Sequence, residues 1–184
     1  MNKKELKEML RKDKWNNIGN RKLYHLFFII ATRHASWLRW KYIKYMRLSC
    51  YYEEKFRNKK LIYAFPMYIN MLKMNNLGYK LNFEIGGKHI GEGLSLCHNG
   101  PIVIHGASII GKNCVLHGDN CIGNDGISND CPVLGDNVDV GVGAKIIGNV
   151  TIANGVRIGA GAVVVKDFTE ENITIGGIPA KRIK

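Results

Sequence analysis

In this chain of 184 residues the side chain best suited to chemistry is His98, in the stretch Leu96-Cys97-His98-Asn99-Gly100-Pro101-Ile102-Val103-Ile104. A neutral imidazole takes up a proton near pH 7, which makes histidine a ready general base. The surrounding pattern singles this one out. Downstream, apolar residues recur every six positions at Ile104, Ile110, Leu116 and Ile122, and again at Leu134, Val140, Ile146, Ile152, Ile158 and Val164. Small or β-branched residues stand two places before most of them: Ser108, Cys114, Val138, Ala144, Val150, Val156 and Ala162. Upstream, Ile90 and Leu96 keep the spacing, but Leu96 to Ile104 is eight. The register therefore slips by two across His98, and local rules are broken mainly at sites. The bland alternative is a histidine satisfied at a bulge. His105 and His117 each follow an inward apolar residue, where glycine is common, and read as exposed turn residues.

One apolar and one small inward position per six residues is the pattern of a parallel β-helix, whose coils bury a core only by stacking. The fold class is thus mainly β, with the solenoid over residues 83–176. Residues 123–133 lack the inward residue at Ser128 and are rich in Asn, Asp and Gly, which predicts a loop extruded from one corner. Residues 177–184 form a C-terminal tail. The five cysteines are scattered, odd in number and without a CxxC pair, which suits reduced thiols in a cytoplasmic setting. No secretory signal is visible, and the apolar runs Leu23–Ala31 and Leu61–Leu72 fall short of the roughly 20 residues a bilayer span needs.

Residues 1–82 read as a basic, aromatic, helical region. Residues 1–80 carry 19 Lys and Arg against 5 Asp and Glu, whereas residues 81–184 carry 8 against 10. Asn2-Lys3-Lys4-Glu5 predicts a helix start, Arg21 to about Arg47 a second helix, and Leu61–Leu77 a third, with Asn75-Asn76-Leu77-Gly78 as its stop. Two readings of the basic face stand: the solvated side of a small cap, or a Trp-rich surface meeting an anionic leaflet or charged glycan. The second implies peripheral contact at the inner membrane surface. Charge alone allows nucleic acid, but no motif supports it, so no nucleic-acid partner is expected.

The repeat, the segment Gly-Leu-Ser-Leu-Cys-His-Asn-Gly-Pro-Ile-Val-Ile and the terminal Gly-Gly-Ile-Pro-Ala-Lys resemble the hexapeptide-repeat acyltransferases. The nearest branch is that of the serine acetyltransferases and their relatives in bacterial polysaccharide gene clusters. The resemblance covers residues 83–184 well and the helical region loosely. It implies a left-handed coil, against the usual crossover rule. It further implies a homotrimer with acetyl-CoA as acyl donor in the groove between neighbours, and a dimer of trimers paired through the N-terminal helices is compatible with it. His98 matches the family's catalytic base. Glu84, in Glu84-Ile85, stands one residue from the place of the family's orienting aspartate. Val142, Gly143, Ala160 and Gly161 match the wall that the pantetheine arm follows. Lys166, Lys181 and Arg182 are candidates for its phosphates, with solvated surface charges as the alternative. No metal is expected: zinc-dependent relatives use a His-x4-His pair, which the spacings of His98, His105 and His117 do not supply.

The acceptor side departs from the serine enzymes. Where they carry Asp-His, this chain has Cys97-His98, followed by Asn99. Where their loop carries Arg-His-Pro, it has Asp130-Cys131-Pro132. With Cys97, Asn99, Asp130 and Cys131 at the acceptor, the charges of an amino acid would lack partners, which costs several kcal/mol in a closed site. The expectation is therefore an O-acetyltransferase acting on a sugar or polysaccharide-precursor hydroxyl, a glycan or small-molecule acceptor. Serine O-acetylation is the alternative, and a non-catalytic β-helix binding module a further one.

Overall fold

Six residues make one short strand and one turn, so three hexapeptides close a coil and the chain returns above itself after 18 residues. The pairing of Ile102 with Asn120, Val133 with Thr151 and Asp139 with Arg157 has that offset. The structure, a computed structural model, describes residues 1–20, 22–58 and 61–184. Its solenoid has three sheets. Sheet 1 holds Phe83–Ile85, Ile102–Ile104, Asn120–Gly123, Lys145–Ile147 and Val163–Val164. Sheet 2 holds Ile109–Ile110, Val133–Leu134 and Thr151–Ile152. Sheet 3 holds Ser95–Leu96, Val115–Leu116, Asp139–Val140, Arg157–Ile158, Thr174–Gly176 and Lys181–Arg182. All pairings are parallel except the last, where Lys181–Arg182 turns back antiparallel on Thr174–Gly176 and covers that end. The residues of the six-residue phase, from Ile104 to Val164, are buried and share one core.

Departures from 18 locate the irregularities. Offsets of 24, as in Val115 with Asp139, mark the coil that carries the loop between Gly123 and Val133. Ser95 pairs with Val115, an offset of 20, so the two extra residues lie in the corner from Cys97 to Pro101. Phe83 pairs with Ile102, an offset of 19, because the turn at Gly87–His89 is one residue short.

Four helices precede the solenoid: α1 (Lys3–Ile18), α2 (Leu23–Ala31), α3 (Ala35–Arg57) and α4 (Ala64–Leu81). Asn2 caps α1 in a capping box with Glu5. The helix expected over Arg21–Arg47 is instead two; its first residue, Arg21, lies outside the described residues. Thr32 turns its hydroxyl onto the Phe28 carbonyl, Arg33 adopts φ 50°, and the His34 ring accepts from the Ser36 N–H to start α3 afresh. Nor does α4 stop at Gly78. It runs to Asn82, which adopts a left-handed cap conformation. Gly78 serves close approach: a Cβ there would stand 2.8 Å from the Phe83 carbonyl oxygen. Among the described residues no helix is long and apolar enough to cross a membrane.

The helices and the solenoid share a core. Tyr42, Ile43 and Met46 of α3 and Leu81 of α4 pack with Ile85, Ile90 and Leu94, and Met46 fills the space where Gly87 has no side chain. The first coil would otherwise leave an open edge of backbone groups. Helix α1 covers it: Gly93 and Leu94 N–H donate to Asp13 Oδ1, Leu96 N–H donates to Asn17 Oδ1, and Asn16 and Asn17 donate to the Gly93 and Leu94 carbonyls. Asp13, fully buried, also accepts from Arg47 Nε at 2.9 Å. Arg47 in turn donates to the Ile90 and Gly91 carbonyls. Asp13→Ala leaves that guanidinium buried and unpaired and should lower the unfolding free energy by about 3–5 kcal/mol. Glu8→Ala, which removes an exposed partner of Arg11, should cost less than about 1 kcal/mol. Urea unfolding compares them, and equal losses would contradict the role given to Asp13.

Candidate active site

The two extra residues cannot enter a core that takes one inward side chain per face, so they bulge outward. The bulge is pinned on both sides. Cys97 N–H donates to the Leu116 carbonyl, and Gly100 and Ile102 N–H donate to the carbonyls of Leu81 and Asn82 at the end of α4. Helix α3 adds a third tether, Arg39 Nη1 to Asn99 Oδ1 at 3.0 Å. His98 stands between these anchors and is exposed. Among the described residues its ring makes no hydrogen bond within the protomer.

Below His98 the corner between sheets 3 and 1 carries a glycine on each successive coil. Gly118 lies directly beneath, where an added Cβ would stand 3.4 Å from His98 Cβ. The corner continues down: Gly143 N–H donates to the Gly118 carbonyl, Gly161 N–H to Val142, and Val163 N–H to Gly177. Gly118, Gly143, Gly161 and Gly177 all have positive φ, a conformation glycine takes at little cost. Buried Asn120 braces this corner, accepting from Gly118 N–H and donating to the carbonyls of Gly141 and Ala144. The structure thus brings His98, Val142, Gly143, Ala160 and Gly161 into one open column, with nothing within 4 Å of a Cβ placed on Gly161. Such a cradle fits a thin, flexible arm laid along backbone.

Other predicted residues fall elsewhere. Glu84 is the outward residue of the first strand of sheet 1 and lines a separate cavity of about 850 Å³ with Tyr79, Val103 and His105. No hydrogen bond joins Glu84 to His98 among the described residues. Asp130 and Cys131 belong to the loop corner, between sheets 1 and 2, where Cys131 Sγ lies 3.0 Å from His105 Nδ1. Lys166 is at that corner too, its Nζ over the Phe168 ring. Lys181 and Arg182 lie in the last strand, just past Gly177, and Arg182 is paired with Glu170. His98, His105 and His117 do not converge, and among the described residues no three His, Cys, Asp or Glu side chains could hold a metal ion.

The sequence reading missed three groups. Asn120 occupies a small-residue position, and a polar residue there was a legible signal. His117 Nε2 donates to Asp139 Oδ1 at 2.8 Å; the loop-bearing coil's offset of 24 sets these residues on neighbouring coils. Arg39 comes from a helix whose charges carry no spacing that marks one out. Burial draws the Arg39 guanidinium below its ordinary pKa, while the nearby Cys97 thiol acts the other way. Burial raises the Cys97 thiol, against a hydrogen bond from Ser95 and the charge of Arg39.

No family model matches the chain. The serine acetyltransferase of Synechococcus elongatus is 37% identical over 99 residues, 53% of this chain and 40% of that protein. The serine acetyltransferase of Helicobacter pylori is 30% identical over 131 residues, 70% of this chain and 75% of that protein. Among solved structures, soybean serine acetyltransferase complexed with serine superposes with a TM-score of 0.75 at 20% identity, covering 98% of this chain and 70% of that one. The shared fold is the left-handed β-helix with N-terminal helices. The chain thus matches about two fifths of the Synechococcus protein's length. These relatives overturn the expectation of a sugar or polysaccharide-precursor acceptor, since all three carry the name serine acetyltransferase. That expectation sought a cation in the loop of Asp130 and Cys131 alone; from α3, Arg39 also reaches the His98 corner, where it donates to Asn99.

The thiols of Cys97 and Cys114 should differ sharply. Cys114 is enclosed, and burial pushes its thiol up to about 12, whereas Cys97 is half-buried. At pH 8 iodoacetamide should alkylate Cys97 slowly and leave Cys114 unmodified until the solenoid unfolds, as read by peptide mass mapping. Labelling of both at one rate would contradict this packing.

Proposed function

Since the chain belongs to the serine acetyltransferase family of hexapeptide-repeat proteins, we propose that it transfers the acetyl group of acetyl-CoA to the hydroxyl of serine, with His98 as general base. One observation carries this reading: a two-residue insertion in the repeat puts an exposed histidine at the head of a glycine-lined corner. The donor thioester, when bound, supplies an activated acyl carbon and a thiol leaving group. Val142, Gly143, Ala160 and Gly161 would hold its arm by backbone approach, with Lys181 near the far end of the same corner. His98 takes the proton from the serine hydroxyl as its oxygen attacks the thioester carbon, then passes it to the departing sulfur as the C–S bond breaks, so that CoA leaves as a thiol. The tethers from Arg39, Leu81 and Asn82 fix the backbone of the bulge on which His98 stands.

Our reading places the reaction between copies of the chain in a homotrimer. Two features support it. The His98 ring has no orienting partner within the protomer among the described residues. Outward Ile109 and Val133, paired on sheet 2, are 50% and 39% exposed, an apolar surface suited to burial against a neighbour.

The test is release of free CoA with serine, threonine and a panel of sugars as acceptors. Serine should be turned over, with O-acetylserine identified by mass spectrometry. A protein inert to serine but active on a sugar would overturn the proposal. His98→Ala should cut turnover by about 10²–10⁴-fold with CoA affinity unchanged by calorimetry. Near-normal turnover would remove His98 from the mechanism.

A further inference from the structure

Two arginines of α3 meet the solenoid, and they differ in one respect. Arg47 is neutralised by Asp13 and saturated by two carbonyls. Arg39 has no carboxylate partner among the described residues, which include every Asp and Glu of the chain. Its protein acceptor is the amide oxygen of Asn99, and its Nε is buried without a hydrogen bond. A half-buried guanidinium that keeps its charge and presents a planar fork is a site for a carboxylate.

A complementary anion, Asp139, lies on the same sheet two coils along from Ser95–Leu96. The Cys97 N–H sits on the Leu116 carbonyl, so Cys97 stacks above the segment leading into His117. His117 is bonded to Asp139 Oδ1, and Asp139 Oδ2 has no protein hydrogen bond among the described residues. The Asp139 side chain is 42% exposed. Both charges bear on the Cys97 thiol, Arg39 lowering its pKa and Asp139 raising it. Cys97 itself is uncharged and adjoins His98. A cation and an anion thus both lie within electrostatic reach of one neutral residue beside the general base.

We propose that Arg39 binds the α-carboxylate and Asp139 the α-ammonium of the acceptor, holding the amino-acid head group across Cys97 so that its hydroxyl faces His98. This rests on the serine reading above and names the residues that would give it specificity. Recognition is thereby divided between a helix and the solenoid, and the loop of Asp130 and Cys131 needs no cation.

Steady-state kinetics with L-serine, L-serinamide and 3-hydroxypropionate test it. Serinamide lacks the carboxylate and 3-hydroxypropionate the ammonium. Wild-type protein should prefer serine to either analogue. Arg39→Gln removes the Asn99 tether for every acceptor, so the readout is the difference between acceptors: kcat/KM for serine should fall on the order of 10²-fold further than for serinamide, mainly through KM, with the KM for acetyl-CoA nearly unchanged. Asp139→Asn should show the mirror pattern, losing preference against 3-hydroxypropionate. Arg39→Lys, which keeps the charge but not the fork, should retain part of the preference and serves if Arg39→Gln fails to fold. If the Arg39 variants lower serine and serinamide equally, Arg39 merely positions Asn99 and the inference is wrong while serine acetylation stands. If wild-type protein does not acetylate serine at all, the serine reading fails and this inference with it.

Discussion

Stacking is the constraint on which everything else depends. Each hexapeptide offers one inward apolar residue, and a coil is buried only if the next lies in register upon it. Ile104, Ile122, Ile146 and Val164 form one such inward row, and Leu116, Val140, Ile158 and Ile175 another. Any surplus length must leave the core at a corner. The chain does this twice, in the loop between Gly123 and Val133 and in the bulge at His98. The same rule that makes the core monotonous therefore makes these corners conspicuous, and it holds the glycines of successive coils in one line beneath His98.

The helical region is more than a cap on this solenoid. Its side chains Asp13, Asn16 and Asn17 take over hydrogen bonds that a preceding coil would have made, which ends the stack without an exposed edge. The same packing sets α3 over the first coil, and that registration carries Arg39 to Asn99. Covering the edge and supplying a cation to the His98 corner are consequences of one docking geometry, fixed by Met46 against Gly87 and by Arg47 on Asp13.

The solenoid was legible because its signal repeats: each coil uses the same inward positions, so errors at one position are outvoted by the others. The His98 bulge was legible as a break in that count, and the capping box at Asn2 as a local motif. What depends on contact between distant segments was not. Amphipathic pattern tells which face of α3 is buried, but not which coil lies beneath it, so Arg39 read as one of many cations. The Thr32–His34 break depends on a side chain turned back on its own helix, and Gly78 read as a stop when its role is close approach to Phe83. Glu84 was matched by its sequence distance from His98, but the short turn at Gly87–His89 and the two-residue bulge alter the spacing on either side.

The most direct measurement is a crystal structure with CoA and serine bound. Our reading predicts the pantetheine arm along the corner of Gly118, Gly143 and Gly161, and the serine hydroxyl within hydrogen-bond distance of His98. CoA lying instead against the loop corner beside Glu84 and His105, with His98 facing solvent, would contradict it.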